Sequence, residues 1–331
     1  MLLRQATVLC PRASYWRGSD RTLSLRGDTN LKAVQLHAYG GVDQLFYEDV
    51  ADPKPGAGEI LVKVAATSLN PIDWKLRRGD MKNAMPLQLP AILGRDVAGT
   101  VVSRGSGTQG LQPGDWVMGL VNRAYAEFLV AKPEDLTLIP EGLNTEDAAA
   151  LPLVVLTGSQ LIEDGVTPKP GQTVLITGAV GSVGRTAVYV ARKHGMKVIA
   201  GVKASQRKEA ETLGADQVVA LDDDKAIAAL GQVDAIADTV GHDVIQKLMP
   251  HIRPDGVLAT VVGAPPGSQG KGFRVQQVWA HPDSKRLHEL AEAVAKGEFK
   301  IPIAKKMKLS QVREAQTTAE AGGVSKILLI P

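Results

Sequence analysis

The run Gly178-Ala179-Val180-Gly181-Ser182-Val183-Gly184 is the stretch whose residue types and spacing speak most directly of chemistry. It follows an apolar segment, 173–177, and leads into a helical pattern. A turn that receives a phosphate needs glycine where the backbone reverses, where it approaches the anion, and where helix meets strand. The free N–H groups of the helix start then face the charge. Ala179-x-Gly181-x-x-Gly184 supplies that spacing with Ala in the first place, and a strand before with a helix after is the confirming context. Gly178, Val180, Gly181, Ser182, Val183 and Gly184 are therefore the expected contacts to the pyrophosphate of a dinucleotide. About 20 residues on, the second strand of such a unit ordinarily ends in an acid that takes a ribose 2′-OH. Here Gly201-Val202-Lys203-Ala204-Ser205-Gln206-Arg207-Lys208 contains none. Lys203, Ser205 and Arg207 are placed to hold a 2′-phosphate, which favours NADP(H), and Lys208 is a bystander at a helix start.

These residues need a scaffold, and the pattern after Pro152 provides one. Apolar runs at 174–177, 197–202, 217–221, 233–237 and 256–262 suit strands buried on both faces. Helical patterns at 182–194, 205–213, 224–230 and 242–252 lie between them, an alternation that argues for a doubly wound parallel sheet. In such a sheet Thr239, Val262 and Gly263 fall in loops at the ends of the fourth and fifth strands, on the cofactor side. Upstream, short runs at 33–36, 59–65, 99–102, 115–118 and 127–130, separated by Pro and Gly clusters, read as antiparallel strands of a compact β-rich domain. A strand-like run at 273–279, a helix at 284–296 and the closing apolar run 327–330 are too few for a third domain. They are expected to rejoin the first one, leaving a cleft.

Composition sets the outer limits. The chain has 331 residues, 44% of them hydrophobic, and a formal charge of +3. Arg4, Arg12, Arg17, Arg21 and Arg26 against Asp20 and Asp28 account for that charge, so the remainder is neutral and offers no basic surface for nucleic acid. The single cysteine, Cys10, excludes an internal disulfide and a thiolate zinc site. The longest apolar stretch, 148–157, contains Pro152 and falls short of the roughly 20 residues of a spanning helix. Residues 1–31 read as a disordered extension, and a cytosolic protein is expected. The alternative is a mitochondrial presequence, whose Arg-rich composition they share while Pro11, Gly18 and Gly27 interrupt its helix.

From about Lys32 to Pro331 the chain resembles the medium-chain dehydrogenase/reductase superfamily, and within it the zinc-free quinone oxidoreductase and alkenal reductase branch. The resemblance is carried by Leu69-Asn70-Pro71-Ile72-Asp73-Trp74-Lys75, Gly94-Arg95-Asp96-Val97-Ala98-Gly99, Pro113-Gly114-Asp115-Trp116-Val117, Ala148-Ala149-Ala150-Leu151-Pro152 with Leu156-Thr157, and the glycine turn. It implies an α/β protein with a GroES-like β-rich catalytic domain, residues 32–153 and 283–331, and a Rossmann NADP(H)-binding domain, residues 154–282. A homodimer is the expected assembly. Zinc-dependent members carry Cys where this chain has Asn70 and His-Glu where it has Arg95-Asp96. Asn is a poor zinc ligand and Arg cannot be one, so no metal is expected.

Without a metal, reduction of a carbonyl-conjugated bond still needs a donor for the oxyanion that develops. The resemblance places Asn70 and Thr157 at the nicotinamide and Lys75 where relatives face the substrate. Asn70 and Lys75 are then the expected oxyanion donors. Each has a structural alternative: Lys75 as an exposed strand lysine beside Arg77 and Arg78, and Thr157 as a helix threonine bonded to its own backbone. Asp73 is a candidate for proton handling, but its position after Pro71 suits capping better. Tyr125 reads as core, and the six histidines show no ligand spacing. The expected activity is NADPH-dependent reduction of a quinone or enone; the rival is a protein that binds NADPH without turnover, as crystallin members of the family do.

Overall fold

The structure is a computed structural model that describes residues 30–331. The expectations for Cys10 and for the amino-terminal extension, and with the latter the question of localisation, lie outside the described residues. Among those residues no helix is long and apolar enough to cross a membrane.

Two large sheets organise the chain. The first has six parallel strands in the order Gln217–Ala220, Lys197–Val202, Thr173–Thr177, Val233–Asp238, Ile252–Thr260 and Arg274–Gln277. The chain winds outward one way from Thr173–Thr177 and then the other way from Val233–Asp238. The crevice between those two strands is the switch point at which open α/β sheets take ligands. Their apolar runs face two cores at once. Val174, Ile176, Ala235 and Ala237 pack into one cluster, while Leu175 and Ile236 point to the opposite one. A period of two with both faces apolar is what a sheet covered by helices on both sides requires.

The second sheet has seven strands and is mostly antiparallel. Its path runs Ile303–Lys308, Lys326–Ile330, Ile60–Ser68, Asp96–Arg104, Trp116–Leu120 and Leu136–Leu138, with Phe128–Ala131 also pairing to Ile60–Ser68. The last strand of the chain thus lies against an early one, with Leu328 opposite Ser68 and Leu329 opposite Thr67. A small sheet of Leu45–Ala51, Asn30–Leu36 and Ala91–Ile92 completes the β-rich part.

The helix Pro152–Gln160 crosses from one part to the other. Every residue in it except Leu153 is buried, the polar Thr157, Ser159 and Gln160 included. One continuous core cluster includes Ala66 and Met118 of the β-rich part, Leu156 of this crossover helix, and Val174 and Ala187 of the parallel-sheet part. Gly158 makes the close crossing possible. A Cβ there would lie 2.5 Å from Val183 O and 2.7 Å from Thr186 Cβ, on the helix Ser182–Lys193 that begins at the glycine turn.

Candidate functional site

The turn after Thr173–Thr177 is shaped by backbone contacts. Gly178 has a φ of 62°, in the left-handed region, and its carbonyl accepts the Gly181 N–H at 2.9 Å. A Cβ on Gly184 would stand 2.2 Å from Gly178 O and 2.8 Å from Ala179 Cα. Only glycine fits where the helix passes this close to the strand end, so the turn leaves the N–H groups of 182–184 at a helix start, the arrangement that receives an anion. Arg185, almost buried, donates from Nε to Val180 O at 2.7 Å and pairs with Glu209, pinning the turn from outside.

The neighbouring loops are held by one carboxylate. Asp238 is fully buried, and its Oδ1 accepts from Thr177 Oγ1 at 2.8 Å, Val240 N at 3.1 Å and Gly241 N at 3.0 Å. Its Oδ2 accepts from Thr260 Oγ1 at 3.1 Å, and Thr260 Oγ1 in turn accepts from Val262 N at 3.2 Å. Thr239 closes the set by donating its hydroxyl to Thr177 O at 2.7 Å. Thr239 thereby lies against Gly178 and Val262 against Gly241, while Asp238, which ties the two loops together, was given no role in the sequence reading.

Lys203, Ser205 and Arg207 are exposed at the end of Lys197–Val202, whose Gly201 lies opposite Thr177. Arg207 faces Glu211 at 3.5 Å. A carboxylate does reach this corner, from the next strand's end: Asp222 Oδ1 accepts the Ala204 N–H at 2.8 Å. The sequence reading considered the second strand alone and missed it.

On the β-rich side the motif Asn70-Pro71-Ile72-Asp73 opens a helix, Pro71–Arg78. Lys75 therefore sits on a helix, which corrects its alternative reading as a strand lysine. It is half-buried, and its ammonium makes no hydrogen bond or ion pair with the described residues. Asp73 Oδ2 accepts the Asn70 N–H at 2.8 Å and the Tyr125 hydroxyl at 2.9 Å, so it caps the helix start. Burial raises its carboxyl from an ordinary 3.8 to about 7, against the lowering effect of those two bonds. Fully enclosed, it cannot meet a substrate, and the proton-handling role expected of it is withdrawn. Burial likewise pushes the Tyr125 hydroxyl well above its ordinary value.

The Asn70 side chain does not cap its helix; it turns into a buried polar junction. Nδ2 donates to Asp96 Oδ2 at 2.7 Å, with a longer contact to Ser68 O at 3.5 Å, while Oδ1 accepts from Lys326 Nζ at 2.7 Å. Asn70 is 1% exposed, so the direct oxyanion contact expected of it would require breaking the bond to Asp96. The junction therefore corrects that expectation: its amide is an anchor. Asp96 Oδ2 also accepts from the Ser68 hydroxyl and from Lys326 Nζ, the latter at 3.2 Å. Its Oδ1 accepts the Leu153 N–H at 2.7 Å, at the start of the crossover helix. Thr157, further along that helix, donates to Leu153 O at 2.6 Å, so its hydroxyl proton is taken up by its own backbone. Arg95 is half-buried, and its Nε has no hydrogen-bond partner. Among the described residues no cluster of three His, Cys, Asp or Glu side chains could hold a metal.

Comparison with known proteins places these features in a family. Residues 56–141 match the alcohol dehydrogenase GroES-like domain, and residues 213–325 match the zinc-binding dehydrogenase model. A chloroplastic quinone-oxidoreductase homolog of Spinacia oleracea is 37% identical over 57% of this chain, and the match spans only 60% of that relative's length. A 2-methylene-furan-3-one reductase of Solanum lycopersicum is 31% identical over 77% of this chain and 69% of its own. Among solved structures, the quinone oxidoreductase from Coxiella burnetii superposes with a TM-score of 0.83 at 29% identity, over 92% of this chain and 100% of that one.

Proposed function

Because the chain belongs to the medium-chain dehydrogenase/reductase superfamily, in the branch of quinone oxidoreductases and alkenal reductases, we propose that it is an NADPH-dependent, zinc-independent reductase of quinones or α,β-unsaturated carbonyls. The observation that carries this reading is the glycine turn at the sheet's switch point, coupled to the Lys75 helix by the crossover helix and Asp96. The fit to a dinucleotide rests on the turn itself: Gly178 in the left-handed region and a Gly184 that tolerates no side chain against Gly178 O set a helix start directly against the strand end. Bound there, the reduced dinucleotide supplies a hydride to the substrate.

The chain's own residues divide the remaining work. Gly178, Val180, Gly181, Ser182, Val183 and Gly184 form the turn and helix start that receive the pyrophosphate. Lys203, Ser205 and Arg207 hold the 2′-phosphate; Thr157, Thr239, Val262 and Gly263 line the nicotinamide end. Lys75, whose ammonium is free of other partners, donates to the substrate oxygen as negative charge develops on it. Asn70 anchors the start of the helix that carries Lys75. The proton that completes the reduction comes from solvent, because Asp73 is enclosed. Zinc is not part of this scheme: Asn70 and Asp96 are saturated by each other, Ser68, Lys326 and Leu153, which leaves no donor set for the ion.

The relatives named for quinones and for a methylene-furanone, an enone, support the substrate class. The test is NADPH and NADH oxidation with a panel of quinones and alkenals, before and after exhaustive chelation. Turnover that prefers NADPH and survives chelation is expected. Loss of activity together with stoichiometric zinc would refute the metal-free reading.

A further inference from the structure

Lys326 lies on the closing strand, is 6% exposed, and has no catalytic or cofactor-binding role in the scheme above. Its ammonium has three acceptors: Leu69 O at 3.1 Å, Asn70 Oδ1 at 2.7 Å and Asp96 Oδ2 at 3.2 Å. Burial pushes it below its ordinary pKa, while Asp96 and Asp73 oppose that shift. An Asn amide can ordinarily turn over, exchanging its oxygen and nitrogen. Here one neighbour, Lys326, can only donate, and the other, Asp96, can only accept. A flipped amide would set N–H against ammonium and oxygen against carboxylate, so a single orientation survives. The same Asp96 holds the first turn of the crossover helix through Leu153.

We propose that Lys326 is a positioning residue: with Asp96 it locks the Asn70 amide, and so fixes the start of the Lys75 helix relative to the crossover helix that packs on the nucleotide turn. This rests on the reading of Lys75 as the oxyanion donor. The link runs through packed and bonded neighbours: Lys326 to Asn70, Asn70 to the helix start, and Asp96 to Leu153. Gly158, on the same crossover helix, then bears directly on the helix that follows the glycine turn.

Lys326→Met alone would strand the Asp96 charge, so the informative change is Lys326→Met with Asp96→Asn, which removes both charges together. Single-turnover oxidation of NADPH by 1,4-benzoquinone and NADPH affinity are measured for this pair, for Lys75→Ala and for the combination of all three. The expected result is a rate at least about tenfold lower for the pair, with affinity within about threefold of the native protein. If Lys326 acts through Lys75, the triple variant is no slower than Lys75→Ala, because the two changes interrupt one linkage. A native rate in the charge-neutral pair, or multiplicative losses in the triple variant, would overturn the proposal. A native rate in Lys75→Ala would instead overturn the reading on which it rests. Should the pair fail to fold, the intact protein still decides. In selectively labelled material the Asn70 side-chain amide protons should be distinct and slow to exchange with solvent. Exchange as fast as that of exposed asparagines would show that no lock exists.

Discussion

The glycine turn and the junction beneath the Lys75 helix solve the same problem, fixing a helix start, with opposite materials. The turn uses backbone: Gly178 in the left-handed region and a Gly184 contact that excludes any side chain. The junction uses charge: Asp96 and Lys326, both buried, with Ser68 and Asn70 between them. A backbone device is compact in sequence and insensitive to pH. A side-chain device draws on distant segments, and its stability depends on every partner being present.

That contrast predicts the largest effect at Asp96. Asp96→Ala leaves the Lys326 ammonium buried without its carboxylate and should cost about 3–5 kcal/mol in denaturant unfolding. A loss below about 1 kcal/mol would mean the junction is not the charged core of this region. Asp73 should give the next largest change, visible as a pH dependence. Its folded pKa of about 7 stands above the ordinary 3.8, so its contribution to stability is fully present below about pH 4 and is lost as pH rises through 7. The size is on the order of 4 kcal/mol. Asp73→Asn keeps an oxygen for Asn70 N–H and Tyr125, so unfolding measured from pH 4 to 8 should lose that slope. An unchanged slope in the variant would assign the pH dependence elsewhere.

The two regions were also unequally legible. The turn could be read because its glycines, strand and helix are contiguous, and the parallel sheet followed from apolar runs that repeat on schedule. The Pro71–Arg78 helix carried a local signal that the reading did not use. Asn70 at the cap, Pro71 at the first helical position and Asp73 three residues after the cap form a helix-start pattern. The junction carried no such signal, since Lys326 lies 230 residues from Asp96 and 256 from Asn70. Only the pairing of the last strand with Ile60–Ser68 brings them together, and that register is a property of the folded sheet. Asp222 escaped for the same reason: it reaches Ala204 from an adjacent strand end, 18 residues along.

At the turn itself, Gly184→Ala should cost about 1–3 kcal/mol through overpacking, because the obstructing atoms are backbone and cannot swing aside. Its mark should be a fall in dinucleotide affinity measured by titration, whereas Asp96→Ala should act mainly on unfolding. If both variants lost stability and affinity in the same proportion, the two regions would not be separate devices. The smallest effect is expected at the exposed corner. Lys203→Ala with Arg207→Ala should lower the preference for NADPH over NADH by roughly tenfold or more, the worth of a solvent-screened charge-assisted contact. Equal affinity for the two cofactors in the native protein would remove the 2′-phosphate assignment, and Asp222 would then be the residue to examine for a ribose hydroxyl.

The most direct test of the central claim follows a label. NADPH carrying deuterium at the reactive position of the nicotinamide is mixed with but-3-en-2-one and the protein, and the product is read by mass spectrometry and NMR. The account predicts deuterium at the β-carbon of the reduced ketone. It also predicts that Lys75→Ala slows this transfer by on the order of 10²-fold while NADPH affinity stays nearly unchanged. Tight NADPH binding with no deuterium in the ketone, and none of the label lost to quinones either, would contradict it and leave a dinucleotide-binding protein without turnover.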